Sequence, residues 1–340
     1  MAAKRYHGEM EKETGSSSSG SAGKPEKKIR YTGTPIDFWR IHGWKHPFQF
    51  LHSIYYFGNP RRYVGMLIKI FNFLDTHIPK KHWRNPLLKP LLTYLPARYH
   101  GKVLTIDHAN KIINLNQSVH VDPKRAKRVL TYEMVNQIVI NSSDTIALGD
   151  CVCRSLIENP CTPNHVCMFI GEPFATYAVK RGKRLNIHYA TKEEALEAIR
   201  QAHELGYVHN AFFKDAAGDR MFALCNCCSC CCKGIEITNI FKNIYQDDVP
   251  TPRMLEASGY LAVHDKEKCT GCGACVDACH FNAVTMGSVN GSPKAEIDHA
   301  HCFGCGICVD KCKANAIRLE KDPYGTMPLD IEHLLNAKVM

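Results

Sequence analysis

The chain has 340 residues, of which 45% are apolar and 22% charged, as in ordinary globular proteins with a sizeable core. Its 18 cysteines are unusually many, but a chain of this length is not a small scaffold held together by disulfides. The N-terminal residues lack the apolar stretch of a signal peptide, and no run of about eighteen apolar residues follows. We therefore expect a cytoplasmic protein whose thiols stay reduced.

Charge and cysteine content divide the chain into two parts. Residues 1–130 carry 23 Lys and Arg and 8 Asp and Glu, a net charge of +15. Residues 131–340 carry 20 and 25, a net charge of −5, and every cysteine lies after residue 150. The basic part and the cysteine-rich part are therefore expected to do different things.

The first part begins with a polar segment. Residues 1–30, which include GSSSSGSAG, are predicted to be a disordered tail. Residues 31–120 form a basic, aromatic region that we expect to be mainly helical, with its best helical stretch at residues 63–74. Three histidines of this region are expected to be buried or partly exposed packing residues, with quinone or haem contact as the alternative: His42, His46 and His52.

The basic charge of this region indicates a binding partner. We favour an acidic redox partner protein, because charge commonly steers electron-transfer encounters. Peripheral contact with an anionic membrane surface is the alternative, since aromatic and basic residues are interleaved here. Nucleic acid is the weakest candidate, because neither zinc-finger spacing nor an RNA-recognition signature occurs.

Residues 121–260 are predicted to form a cysteine-rich α/β domain. Residues 122–142 have a helical pattern, with Asp122 as N-cap and Pro123 in the first turn. The stretch DTIALGDCVC predicts a short buried strand that ends at the first cysteines. The stretch TKEEALEAIRQAHELG predicts the clearest helix, with a capping box between Thr191 and Glu194 and a stop at Gly206. A strand, RMFALCN, then leads into the run CNCCSCCC.

An internal repeat follows over residues 261–320. HDKEKCTGCGACVDACHFNAVTMG and IDHAHCFGCGICVDKCKANAIRLE align at an offset of 33 residues, and each contains Cys-x2-Cys-x2-Cys-x3-Cys. Three thiolates on such a tight loop can each reach one iron of a [4Fe-4S] cluster, and the fourth cysteine ligates the other cluster. The predicted ligands are Cys269, Cys272, Cys275 and Cys312 for the first cluster, and Cys302, Cys305, Cys308 and Cys279 for the second.

This segment, called the C-terminal repeat below, resembles the bacterial two-cluster ferredoxins. Structural zinc is the main alternative, but zinc sites prefer two Cys-x2-Cys pairs separated by a longer loop. In that family a proline usually follows each fourth cysteine, whereas this chain has His280 and Lys313. We expect cluster ligation to survive the change, and the added N–H groups and the charge of Lys313 to raise the reduction potential.

Ten cysteines remain outside the repeat. They are Cys151, Cys153, Cys161, Cys167, Cys225, Cys227, Cys228, Cys230, Cys231 and Cys232. We expect them to hold one or two further iron–sulfur clusters, either two cubanes with two thiols left over or one larger cluster; zinc sites and thiol–disulfide chemistry are the alternatives. Neighbours such as Cys227 and Cys228, or Cys230 and Cys231, point to opposite sides of an extended chain, which predicts a division between two sites. Cys151 and Cys153 could complete one of them.

Several of these motifs together carry a second resemblance. ALGDCVCR, the two later cysteines, HNAFFKDA, CNCCSCCC, ASGYLAV and the repeat resemble a group of bacterial and archaeal 4Fe-4S binding proteins over residues 95–320. The resemblance implies that the ten cysteines act together, and it implies no reaction. Arg154 either donates hydrogen bonds to a cluster or an anion, or is a surface cation; Asp150 and Asp215 are expected to be structural.

Several cofactor-binding motifs are absent, and their absence restricts the functions that the sequence predicts. No dinucleotide-binding glycine motif, Walker loop, haem-attachment motif or radical-adenosylmethionine triplet occurs, so nicotinamide, flavin and haem are not expected and no catalytic residue is predicted. We predict a multi-cluster electron carrier between a redox partner and an oxidoreductase. The alternatives are an oxidoreductase subunit with a catalytic cluster at CNCCSCCC, and an iron–sulfur redox sensor. The predicted fold is α+β: a C-terminal two-cluster ferredoxin-like domain fused to the cysteine-rich domain, with residues 321–340 as a tail.

Overall fold

The computed structural model describes residues 30–93, 99–121, 123–130, 138–245 and 253–336. The described residues from Tyr31 onward belong to one compact unit. The predicted polar tail, apart from Arg30, and the predicted N-cap Asp122 lie outside the described residues. Within the described part of the chain, no helix is both long enough and apolar enough to span a bilayer.

The basic aromatic region is mainly helical up to residue 93, with turns and coil between its helices. It contains α1 Pro35–His42, α2 Pro47–Gly58, α3 Pro60–His77 and the short α4 Lys89–Thr93, together called the N-terminal helices below. The first three each begin with proline, whose fixed φ angle and missing N–H suit the first helical position. Stacking of Phe38 on Phe57, with ring centroids 4.9 Å apart, joins α1 to α2. The predicted helical stretch 63–74 is extended at both ends in α3.

A nine-stranded, mostly antiparallel sheet forms the centre of the described structure. Its strands are β1 Tyr99–Leu104, β2 Val119–Val121, β3 Ile138–Ile140, β4 Ile146–Asp150, β5 His165–Ile170, β6 His188–Ala190, β7 Val208–Lys214, β8 Arg220–Cys227 and β9 Leu255–Glu256. The main order is β6-β4-β5-β8-β7-β1-β9, and β3 pairs with both β2 and β8. Helices α5 Ile106–Ile113, α6 Pro123–Val129, α7 Phe174–Arg181, α8 Lys192–Glu204 and α9 Lys233–Ile244 accompany it. The predicted mixture of helix and sheet is thus confirmed.

Local predictions in this domain have mixed outcomes. The strand before the first cysteines is β4, RMFALCN lies in β8, and the clearest helix is α8. The Thr191 hydroxyl accepts the Glu194 N–H at 3.1 Å, but the Glu194 carboxylate contacts His188 at 2.7 Å, so only half of the capping box forms. Gly206 has a φ of +85° and ends the helix as predicted.

The long helix predicted over residues 122–142 is wrong at its end. Helix α6 stops at Val129, and Ile138–Ile140 is the buried strand β3. Its three β-branched residues favour a strand, and pairing with β8 supplies the backbone partners that a helix would otherwise provide. Residues 131–137 lie outside the described residues.

The C-terminal repeat keeps its internal symmetry in the backbone. It comprises β10 Tyr260–His264, α10 Ala274–Asp277, β11 Val284–Val289, β12 Ser292–Ile297, α11 Ile307–Lys311 and β13 Ile317–Lys321. The Asp265 N–H donates to the Ala316 carbonyl at 2.7 Å, and the Asp298 N–H, 33 residues later, donates to Ala283 at 2.8 Å. Two equivalent hydrogen bonds, one from each copy, therefore join the two copies.

Residues 321–340 are more than a tail over the part that is described. Helix α12 Ile331–Asn336 follows β13, and Leu329, Ile331 and Leu334 are buried in the core beside α5 and β2. Burial removes these three large apolar side chains from water, which favours a packed segment. This part of the chain therefore differs from the predicted tail.

Candidate metal centres

The C-terminal repeat contains two small cavities, and each is lined by four cysteines. Cys269, Cys272, Cys275 and Cys312 line one of them. Cys279, Cys302, Cys305 and Cys308 line the other. Three cysteines of one copy thus meet the fourth cysteine of the other copy, which is the pairing that the spacing predicts; ligation itself stays a prediction.

The surroundings of these thiols suit an iron–sulfur cluster. Backbone N–H groups of Ala283 and Ala316 lie 3.3 Å from the sulfurs of Cys279 and Cys312, at equivalent positions of the two copies. Burial raises the pKa of Cys305 to about 12, so a bound cation would be needed to keep this thiol ionised. Converging sulfurs with N–H donors directed at them are the environment that a [4Fe-4S] cluster requires.

The two cavities differ in their access to solvent. Cys272 in the first set is exposed, whereas the four cysteines of the second set are all partly or fully buried. Phe281 and Phe303, stacked with centroids 4.2 Å apart, line the second cavity and belong to the core shared with the central sheet. The first cavity is therefore at the surface and the second faces the interior.

The ten other cysteines fall into two groups, of which the first contains four. Cys161, Cys228, Cys230 and Cys231 have sulfurs that all lie within 4.8 Å of one another, and we call them the four-thiol group. The structure joins the Cys161 and Cys230 sulfurs as a disulfide, although their Cα atoms are 7.3 Å apart, beyond the usual span of a disulfide. Because two further sulfurs are in the same place, we interpret the group as a metal site.

The second group has six members arranged as a ring. Cys151, Cys153, Cys232, Cys227, Cys225 and Cys167 each interact through the side chain with the next, and Cys167 closes the ring on Cys151. We call them the six-thiol group. The Cys167 and Cys225 sulfurs, on neighbouring strands β5 and β8, are 3.8 Å apart.

Electrostatics keep most thiols of the six-thiol group protonated when no cation is bound. The sulfur of a ring neighbour is the largest cause that raises the pKa of Cys153, Cys167, Cys225 and Cys227. Closely spaced buried thiols cannot all ionise unless a cation offsets their repulsion. The donor set is all sulfur, which iron–sulfur clusters and zinc both accept.

Comparison with known proteins identifies the C-terminal segment. Residues 268–316 match the family of 4Fe-4S dicluster domains. This part of the chain is an iron–sulfur domain. The match includes all eight cysteines of the repeat, and the upstream cysteine cluster lies outside it. No curated protein gives a significant match to the chain.

The iron–sulfur domain contacts the four-thiol group through His280. The ring nitrogen Nδ1 accepts hydrogen bonds from the Ser229 N–H at 3.2 Å and its hydroxyl at 2.9 Å, while Nε2 donates to the Gly206 carbonyl at 2.8 Å. Ser229 lies between Cys228 and Cys230, and His280 directly follows Cys279. The histidine that replaces the usual proline therefore bridges two candidate centres.

Arg154 lies beside the same group and is buried, not at the surface. Its Nη2 donates to the Cys228 sulfur at 3.4 Å, and its guanidinium lies 4.4 Å from the centre of the Tyr207 ring. Arg154 is therefore not a surface cation, and it donates to a cysteine of the four-thiol group. A cation here would stabilise the negative charge that thiolates bring.

A cavity of about 380 Å³ adjoins the six-thiol group. All six thiols line it, and helices α2 and α3 cover the other side with Phe57, Val64 and Phe71 among others. Lys214 provides a buried cation, with Nζ 5.2–5.5 Å from the ring centres of Tyr56, Tyr63 and Tyr99. Lys214 lies in the stretch HNAFFKDA, which is part of the second resemblance, but the sequence predicts no role for it or for the three tyrosines.

The structure also shows the contacts of the two aspartates and three histidines that were named from the sequence. Asp150 accepts from His165 at 3.0 Å and from Asn186 at 2.6 Å. Asp215 accepts the Ala216 N–H at 2.7 Å. His42 is buried against Ser53 at 2.8 Å, while His46 is exposed. His52 contacts the Tyr63 hydroxyl at 2.9 Å and lines the large cavity.

Proposed function

We propose that the chain is a multi-centre iron–sulfur electron-transfer protein in which the C-terminal domain and the upstream thiol groups work together. The observation that carries this proposal is the pair of hydrogen bonds from Ser229 to His280. They fix the residue after Cys279 against the residue between Cys228 and Cys230. A separate ferredoxin-like carrier attached by a linker would need no such contact.

In this proposal the two predicted sets of the repeat each hold a [4Fe-4S] cluster, and the four-thiol group holds a third. The six-thiol group holds a further iron–sulfur centre, because one cubane needs only four thiolates and a larger cluster could use all six. Bound clusters supply one-electron chemistry. The chain itself fixes their spacing and leaves two of these cysteines exposed, Cys272 in the repeat and Cys230 in the four-thiol group. A redox partner protein is proposed to dock at the Cys272 end.

Metal analysis of anaerobically purified protein tests the proposal. The repeat alone accounts for about eight irons per chain, a cubane at the four-thiol group raises this to about twelve, and a fourth cubane to about sixteen. Three variants should each remove a different electron paramagnetic resonance signal: Cys305→Ser, Cys230→Ser and Cys225→Ser. About eight irons together with stoichiometric zinc would contradict an upstream iron–sulfur centre.

The cavity beside the six-thiol group favours a second candidate function, a reductase. A cavity of about 380 Å³ has the size of a small-molecule site, and its mainly apolar wall includes the basic residues Arg154, Lys214 and Lys233. The Nζ atom of Lys214 lies 3.8 Å from the Asp215 carboxylate. An apolar carboxylate or carbonyl compound would suit this combination. Tyr56 and Tyr99, whose hydroxyls lie 3.5 Å apart, remain protonated because burial raises the pKa of both.

Benzoate, an apolar anion small enough for the cavity, separates the two functions. Under the reductase hypothesis, benzoate should bind and shift the resonance signal that the Cys225→Ser variant lacks. Lys214→Met should abolish this shift, and Lys321→Met, which changes an exposed lysine, should retain it. A signal unaffected by benzoate in the unaltered protein would leave electron transfer as the only function supported.

A further inference from the structure

The N-terminal helices expose an unusual number of large apolar side chains. Among the described residues, fourteen such side chains are exposed, and ten of them lie between residues 36 and 91: Ile36, Trp44, Phe48, Leu51, Tyr55, Met66, Ile70, Phe73, Leu87 and Leu91. Trp44 is 85% exposed, Phe48 83% and Leu87 88%. Single exposed apolar residues are ordinary, but a concentration in one region indicates a binding surface.

The exposed residues follow helical spacing. In α2, Phe48, Leu51 and Tyr55 are three and four residues apart and share one face. The other face of α2 buries Tyr56 and Phe57 against the rest of the protein. The helix is therefore apolar on both faces, and only one face is covered.

The same pattern recurs in α3. Met66, Ile70 and Phe73 are four and three residues apart and exposed, while Phe71 is buried. Arg62 and Lys69 lie on the exposed side next to these residues. Two consecutive helices thus have apolar faces that nothing in the described structure covers.

The charge of the N-terminal helices is the second observation, and it indicates which kind of partner they bind. Eight Lys and Arg of the N-terminal helices and their connections are exposed: Arg40, Lys45, Arg61, Arg62, Lys69, Lys80, Lys81 and Arg84. The only acidic residues between positions 31 and 93 are Asp37 and Asp75, which form ion pairs with Arg40 and Lys80. The region is strongly cationic, so its partner is anionic.

We propose that the N-terminal helices dock on the surface of an anionic lipid bilayer. A redox protein steered by charge would not require Trp44, Phe48 and Leu87 to project almost fully into solvent. Projecting aromatic and aliphatic side chains among Lys and Arg are what interfacial helices use, since the apolar side chains enter the acyl boundary and the cations bind headgroups. Membrane contact, which the sequence left as the alternative to a protein partner, is therefore the better account of this face.

Docking in this way would bring the large cavity close to the lipid. The same helices α2 and α3 cover the cavity with their inner faces, through residues such as Phe57 and Val64. One layer of helix, about 10 Å thick, would then separate the six-thiol group from the bilayer surface. This consequence does not depend on the type of cluster that the thiols hold.

Vesicle co-sedimentation of the full chain tests the proposal. We expect binding to phosphatidylcholine vesicles that contain about 30% phosphatidylglycerol, little binding to pure phosphatidylcholine, and release at about 0.5 M salt. The triple variant Trp44→Ser, Phe48→Ser, Leu51→Ser should bind at least about tenfold more weakly. The triple variant Lys45→Gln, Arg62→Gln, Lys69→Gln removes three of the eight exposed cations, so it should show a smaller preference for anionic vesicles than the unaltered protein.

A matched control removes three exposed apolar side chains elsewhere: Tyr189→Ser, Leu205→Ser, Tyr324→Ser. It should bind as the unaltered protein does, and circular dichroism and iron content should show that every variant is folded. If the unaltered protein does not bind anionic vesicles, the proposal is wrong. A partner protein would then be the better candidate for binding this face. Equal binding by the Trp44, Phe48, Leu51 variant would overturn the proposal as well.

Discussion

His280 accepts two hydrogen bonds from Ser229 at one ring nitrogen, at 3.2 Å from the backbone N–H and 2.9 Å from the hydroxyl. Nε2 must then carry the proton that it donates to Gly206, so the ring is neutral. Burial lowers the pKa of His280, which favours the same neutral form. The residue therefore joins three segments: the end of α8, the cysteine run and the C-terminal domain.

His280→Ala should loosen this junction without removing a predicted ligand. We expect the free energy of unfolding to fall by about 1 kcal/mol, because one partly buried and two exposed hydrogen bonds are lost. We also expect slower electron exchange between the domain and the upstream groups, measured by freeze-quench paramagnetic resonance after partial reduction. Lys313→Ala, at the equivalent position of the other copy and exposed, is the control. Equal effects of the two variants would contradict a special role for His280.

Arg154→Met tests the hydrogen bond from Arg154 to Cys228. Removing a buried cation 3.4 Å from the sulfur should disfavour the reduced, more negative state of a centre at the four-thiol group. We expect its reduction potential to fall by on the order of tens of millivolts. A potentiometric titration followed by paramagnetic resonance measures this fall. Signals of the C-terminal domain should not move, and Arg200→Met, which changes an exposed arginine, should alter neither centre.

These contacts show where sequence reasoning succeeds. Cysteine spacing in the repeat is a local property of tight loops. The sequence alone therefore predicts the two sets of four cysteines that line the two cavities. The strand β4, the strand β8 and the helix α8 are also encoded by local patterns of apolar residues. Alternation along an extended chain correctly separates Cys227 from Cys228. The same argument wrongly separates Cys230 from Cys231, which both lie in the four-thiol group because residues 229–231 form a turn after β8.

Membership of the two upstream groups could not be predicted in the same way. Cys161 and Cys167 are only six residues apart, yet the first joins the four-thiol group and the second the six-thiol group. Strand β5 carries Cys167 to its partner Cys225 on β8, and only the sheet order determines that pairing. The contacts of Lys214 and His280 could not be predicted for a related reason, since they depend on residues far away in the sequence.

Lys102 should make stability depend on pH. It is fully buried, donates to Thr326 at 2.8 Å, and burial lowers its pKa to about 7. An unfolded lysine has a pKa of about 10.4, so between these values the unfolded chain binds more protons and stability rises with pH. We expect a gain of up to about 4 kcal/mol from pH 7 to pH 10, present in the unaltered protein and absent from Lys102→Met.

The difference between the two unfolding curves isolates this effect from other titrating groups. Chemical denaturation at several pH values gives both curves, and Lys102→Met should be the more stable protein below pH 7. Thr326 keeps its hydrogen bond to the Ala257 carbonyl at 2.9 Å in that variant. Lys321→Met, an exposed lysine, should behave as the unaltered protein. Parallel curves for Lys102→Met and the unaltered protein would show that Lys102 does not titrate in this range.

Leu329→Ala tests whether the C-terminal segment is part of the core. Leu329 is fully buried in the cluster that includes Ile112 and Val121, so truncation should leave a cavity and lower the free energy of unfolding by about 2–5 kcal/mol. Tyr324→Ala, five residues earlier and 98% exposed, should cost less than about 0.5 kcal/mol. Denaturation of both variants, with iron content as a check that the centres stay intact, gives the comparison. Equal stability of the two would mean that residues 322–336 are a tail after all, because only a packed segment transmits the loss of one buried side chain to global unfolding.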